Sequence, residues 1–138
     1  MKNKKYNFTK RSIVLGLALV SLFSLGMVSY AAKSASGQFK CSGYYVGYQD
    51  SMTKSNVKAA TQFYDSLNGQ KTSATINTII EMNNGTGRTT AGTPTNVNGG
   101  RSASASYSCP SGYYVLSATT RHAAQVNGNT TSKNASLN

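Results

Sequence analysis

Acidic side chains, histidine and cysteine are all scarce in this chain. Its 138 residues include three Asp or Glu, one histidine and two cysteines, beside 14 Lys or Arg. The common kinds of catalysis need a positioned acid, base or nucleophile. Asp50, Asp65, Glu81 and His122 leave little to build from. No paired-carboxylate motif, nucleophile elbow or phosphate loop occurs, so neither an enzyme nor a cofactor is expected. There is no Cys-x-x-Cys spacing, which argues against redox exchange. Two thiols and one histidine without ligand spacing argue against a metal site. The basic residues form no run of five, which argues against a nucleic-acid patch. Tryptophan is absent.

What is present first is an export pattern. Residues 2–11 hold Lys2, Lys4, Lys5, Lys10 and Arg11 and no acid, and Ser12 to Val28 is an apolar run of 17 residues. Small residues follow at Ser29 and Ala31. This basic, apolar, small-residue order reads as a secretory signal peptide spanning residues 1–31. The run lies at the lower limit for a membrane span, so membrane attachment is expected only where this segment stays uncleaved. The long lysine-rich start resembles exported proteins of Gram-positive bacteria. Cys41 lies too far beyond the run to be a lipoprotein cysteine, and Thr131 to Asn138 carry neither an apolar tail nor a sorting motif. The expectation is a secreted protein, free or held non-covalently at the cell wall.

Cleavage after Ala31 leaves 107 residues, enough for one domain. The expected organisation is a flexible leader over 32–36, a β-domain over 37–126 and a flexible tail over 127–138. Leu, Ile, Val and Phe number only 13 of those 107, while seven tyrosines remain. The core should therefore be thin and tyrosine-rich, and a covalent staple would be valuable to it. One phrase occurs twice, Cys41-Ser42-Gly43-Tyr44-Tyr45-Val46 and Cys109-Pro110-Ser111-Gly112-Tyr113-Tyr114-Val115. Outside the cytosol two cysteines in a small domain usually pair, so a Cys41–Cys109 disulfide is expected, with the two turns side by side. A dyad of either thiol with His122 would compete with it.

The strand signals are alternation and Asn/Gly turns. Gln38 to Tyr48 reads as an interrupted strand. Val57 to Tyr64 fits either a helix or a strand. Asn68-Gly69, followed by Thr72 to Met82, favours a hairpin, with Phe63 opposite Ala74 and Val57 opposite Ile80. Asn83 to Gly100, rich in Gly, Thr and Asn, reads as a long loop. Arg101 to Cys109 and Tyr113 to Val126 read as a second hairpin, with Tyr114, Leu116, Ala118, Thr120, His122, Ala124 and Val126 on one face. The sum is an all-β domain, a small antiparallel β-sandwich or barrel of about five to six strands after an N-terminal signal-peptide helix.

Function is expected on the surface. Tyr44, Tyr45, Tyr48, Tyr113 and Tyr114 cluster at the repeated phrases, and an exposed aromatic among polar groups can stack on sugars or anchor at a lipid interface. Arg121 adds a cation. Beyond Ala31, nine Lys or Arg against three acids leave a net charge of +6. The expected partner is an anionic cell-wall polymer, a glycan or a lipid headgroup, and not nucleic acid. The layout also resembles the small secreted β-sandwich bacteriocins of the lactococcin type. The signal peptide, the short β-rich chain, the Ser73–Ile76 strand and the Asn83–Gly87 turn carry that resemblance. Two cysteines and no tryptophan depart from it, and no residue role is carried over. The resemblance implies the alternative reading, an antimicrobial protein acting on the envelope of competing cells.

Overall fold

The structure, a computed structural model, describes residues 32–98 and 100–138. The eight strands found there are β1 (Lys33–Cys41), β2 (Tyr44–Met52), β3 (Asn56–Phe63), β4 (Thr72–Asn83), β5 (Arg88–Asn98), β6 (Ser102–Ser108), β7 (Tyr114–Val126) and β8 (Asn129–Leu137). They form two antiparallel four-stranded sheets, ordered β1-β2-β3-β6 and β5-β4-β7-β8. Strand β1 faces β8 and β6 faces β5, so the sheets stack as a sandwich. The all-β, sandwich-like expectation holds, but with eight strands rather than five or six. The expected signal-peptide helix over 1–31 lies outside the described residues.

The extra strands arise where irregular structure was expected. The expected leader contributes to β1, which pairs with β2 from Lys33↔Met52 to Cys41↔Tyr44. The expected long loop is β5, paired with β4 from Asn83↔Arg88 to Ser73↔Asn98. Its threonines are β-branched and favour strand, and its Pro94 is tolerated because β5 is an edge strand. The turn is closed by Asn84, whose Oδ1 accepts the Thr86 and Gly87 amides. The expected tail is β8, paired with β7 from Ala118↔Leu137 to Val126↔Asn129. Asn127 and Gly128 join them with φ of 48° and 87°. That is the Asn-Gly hairpin chemistry, in which both central residues take positive φ.

Both expected hairpins are corrected. The Asn68-Gly69 turn does form, and the Gln70 amide donates to the Leu67 carbonyl at 2.9 Å. Its flanking strands nevertheless lie in different sheets, because β3 pairs with β2 and β6, and β4 with β5 and β7. Residues 64–71 are long enough to cross the roughly 10 Å between stacked sheets. Likewise Pro110 to Gly112 turns the chain, with Gly112 at φ 86°, but carries it from β6 in one sheet to β7 in the other. The first copy of the repeated phrase is a two-residue hairpin turn within one sheet. The two copies are different turns.

They are also far apart. Cys41 pairs with Tyr44 at one end of β2, while Cys109 donates its amide to Ser55 beyond the other end. At ~3.3 Å per residue, the length of β2 separates them by roughly 26 Å, and a disulfide needs Cα atoms within about 7 Å. Both cysteines are free, so the expected Cys41–Cys109 bond does not form.

The interior has apolar ends and a polar middle. At the Cys41 end, Cys41, Val46, Phe63, Ala124 and Val126 pack together. At the Cys109 end, Met52, Val57, Ile80, Met82, Val115, Ala118 and Leu137 do so. Full burial of a residue such as Phe63 or Ile80 contributes roughly 1.5–3 kcal/mol. Between the ends, Ala59, Ala74, Ile76 and Ala103 form a smaller cluster, beside buried Asp50, Thr61, Thr78, Thr120 and His122. Thr78 and Thr120 satisfy each other at 3.1 Å.

Candidate functional site

The most chemically suggestive group lies in that polar middle. His122 Nδ1 is 2.8 Å from Thr61 Oγ1, and its Nε2 is 3.0 Å from Asp50 Oδ2. Tyr48 stacks on the imidazole at 4.7 Å between centroids. An ionised Asp50 only accepts, so Nε2 is the donor toward it, and in a neutral imidazole Nδ1 then accepts the hydrogen bond of the Thr61 hydroxyl. A hydroxyl, an imidazole and a carboxylate in line resemble a nucleophile–base–acid series. His122 and Thr61 are 0 % exposed and Asp50 1 %. Thr61 spends its hydroxyl inside the core, where the arrangement ties β2, β3 and β7 across the two sheets. Asp50 Oδ1 is buried without a protein partner. Sequence alternation does place His122 inward. It does not reveal Asp50 and Thr61 as partners, because they come from two other strands.

Neither cysteine meets His122. The Cys41 thiol donates to the carbonyls of Ala124 and Asn129 at 3.3 and 3.4 Å. The Cys109 thiol points to Met82 Sδ at 3.2 Å, and burial pushes its pKa up. The alternative thiol–His122 dyad is absent from these contacts.

The candidate tyrosines do not converge. Tyr44 packs on the Cys41-end cluster and Tyr113 on the Cys109-end cluster. Tyr48 is buried against His122. Tyr114 is 42 % exposed at the far end of the second sheet. Its outward orientation inverts the expected alternation. A bulge between Glu81 and Met82 leaves Leu116 as an extra residue, so Val115 points inward instead. Arg121 is exposed on the outer face of the second sheet, opposite Asn77 and Asn134.

Tyr45 alone sits in a composite surface. It faces outward from β2 at the Cys41 end of the first sheet, paired with Lys40, whose Nζ lies 4.6 Å above its ring. The Tyr45 amide donates to Asp65 Oδ2 at 2.7 Å. Arg101 holds the Asp65 carbonyl at 2.6 Å, and the Tyr64 amide donates to the Tyr45 carbonyl at 3.1 Å. Tyr64 lies over Gly47. A Cβ added at Gly47 would sit 1.8 Å from the Tyr64 hydroxyl, so only glycine admits the ring. Burial pushes the Tyr64 phenol up to about 12, and it remains a hydrogen-bond donor at any physiological pH. Gln38 and Gln62 flank Gly47 on either side. Tyr64, Lys40 and the two glutamines were not singled out in the sequence; the Gly47–Tyr64 contact is non-local and leaves no periodic signal.

No protein-family model matches the chain, and no curated protein matches it.

The charge distribution sharpens the picture of this surface. Asp50 is sealed in the core against His122, Asp65 accepts the Tyr45 amide, and Glu81 accepts the Ser117 hydroxyl at 3.0 Å. The nine basic residues beyond Ala31 are thus opposed at the surface by two carboxylates, both already engaged. Among the described residues, no group of three or more His, Cys, Asp and Glu could hold a metal ion.

Proposed function

We propose that this is a small exported bacterial β-sandwich protein, non-catalytic, that binds an anionic component at or beyond the cell envelope. The reading of export rests on the basic, apolar and small-residue order of residues 1–31. The reading of an anionic partner rests on one observation above all. The only acid removed from the surface by folding is Asp50, buried with His122, so folding leaves an exterior more one-sidedly basic than the composition suggests. A one-signed surface raises the local concentration of oppositely charged partners, and the attraction weakens as salt shortens the screening length. The absence of catalysis is supported by the enclosure of His122 and Thr61, the two groups best placed to act as base and nucleophile.

Incubating the purified protein with isolated Gram-positive envelopes over a salt series tests this. Retention at low salt that falls steeply toward ~0.5 M salt is expected from the short screening length there. Retention that is absent, or indifferent to salt, would sink the reading. The competing reading is an antimicrobial protein. Killing of related bacteria by the purified protein, with no stable retention on its own producer's envelope, would replace the first reading by the second.

A further inference from the structure

Resting on that reading, we propose that the outer face of the first sheet is the binding surface, and that its partner is a phosphate-bearing sugar or polyol polymer rather than a lipid bilayer. The face combines the two chemistries such a polymer needs. Lys40 and Lys58 point outward from β1 and β3, and no acid shares these strands' outward positions. Arg101 joins them at the Cys41 end, anchored on the Asp65 carbonyl. Lys40 and Lys58 pair with Tyr45 and Ser51 of β2, six residues apart, which is roughly 20 Å along the strand. Cations so spaced serve several phosphates of an extended chain and not one compact headgroup.

Between the cations the face offers sugar chemistry. Tyr45 and Tyr64 supply partly exposed rings, and aromatic faces with a polar tip suit sugar rings. Gln38 and Gln62 bracket the Tyr64 ring. On edge strand β6, Ser102, Ser104, Ser106 and Ser108 are all exposed and face the same way, giving hydroxyls every ~6.6 Å. In the middle of the face Gln49 Oε1 is enclosed without a protein donor. A donor-rich ligand that shifts the neighbouring side chains can satisfy this acceptor. A bilayer surface would call instead for exposed large apolar groups to enter the interface. The two among the described residues, Ile79 and Tyr114, both lie on the other sheet.

The test is calorimetric titration of the purified protein with three probes: hexose-substituted poly(glycerol phosphate), inorganic polyphosphate, and phosphatidylglycerol vesicles. The expected result is binding of the substituted polymer, at least tenfold weakened in Tyr45→Ala and in Lys40→Ala/Lys58→Ala. Tyr114→Ala, on the opposite sheet, should bind as the wild type does. Circular dichroism of each variant distinguishes a lost contact from a lost fold, and Tyr45→Phe, which keeps the ring, should retain most of the binding. Tighter binding of vesicles than of polymer overturns the proposal. So does equal binding of polyphosphate and substituted polymer, which would make the aromatics idle. If the wild type binds polymer but the Tyr45 and lysine variants bind equally well, this surface is wrong while the wider reading stands. If the wild type binds no anionic probe, the wider reading itself fails.

Discussion

Single residues decide how this thin-cored sandwich holds together, and three of them make sharp predictions. Gly47 exists to admit the Tyr64 ring. In Gly47→Ala the ring must leave, and overpacking of this kind costs about 1–3 kcal/mol. Removing the ring first, in Tyr64→Ala, should abolish most of that cost, so urea unfolding of the double variant should show strong non-additivity. Additive effects would mean the contact is not made. The phenol gives a second handle. Its folded pKa, about 12, lies above its ordinary value of 10.0 because burial disfavours the charged form. A raised folded pKa stabilises below the unfolded pKa and ceases to do so as pH rises through the folded one. Wild-type stability should therefore fall between about pH 10 and about pH 12, and Tyr64→Phe should remove that part of the decline. The third residue is His122. His122→Ala leaves Asp50 enclosed with no partner on either oxygen, a loss of about 3–5 kcal/mol. Replacing both by apolar residues should cost clearly less, as a urea midpoint would show.

At the level of elements, β8 is the most exposed to test. It is an edge strand, yet its Ala135 and Leu137 are buried and it lies across from β1. Deleting residues 129–138 would uncover the flank of β7 beside His122, and the far-ultraviolet strand signal should collapse rather than shrink in proportion. Asn127→Val, a milder insult at a position with φ 48°, should cost about 1–2 kcal/mol, since a β-branched side chain resists positive φ. This strand also shows what the sequence makes legible and what it hides. The Asn-Gly rule applied at Asn68-Gly69 finds a real turn, and the Asn-Gly pair at 127 and 128, read as the start of a tail, is a real hairpin. Reading the last residues as a tail came from their polarity, which here belongs to an edge strand with one solvated face. Alternation located β4, β6 and the inner half of β7 correctly. It could not say which sheet each joins, because a short turn reads the same whether the chain doubles back or crosses the sandwich. The β5 segment was missed because glycine, asparagine and proline mark a loop, whereas an edge strand tolerates them. At the surface, Tyr45 was legible as one of the tyrosines of the repeated phrases, but its Lys40 partner was not. Tyr64 was not, because its role depends on a glycine 17 positions away in the sequence.

For the molecule as a whole, the placement of sulfur is the most direct test of the architecture. A small domain with a thin core is where a disulfide would help most, and a loop spanning Cys41 to Cys109 would contribute ~4 kcal/mol in the chain-entropy model. The sandwich forgoes it, because the two cysteines end up in the apolar clusters at opposite ends. Stability must come instead from two closed ends and a polar middle that cross-links the sheets through Asp50, His122 and Thr61. The consequence can be measured in protein never exposed to reductant. Ellman titration in denaturant should return two thiols per chain. In the folded state Cys41, fully enclosed, should stay silent, while Cys109 reacts slowly, since burial keeps its thiol protonated to a higher pH. Adding reductant should leave the urea midpoint unchanged. A count of zero thiols in denaturant, or a midpoint that drops on reduction, would mean that the two ends meet. The strand order of the two sheets would then be wrong at its root, because no register of β2 brings Tyr44 and Met52 together.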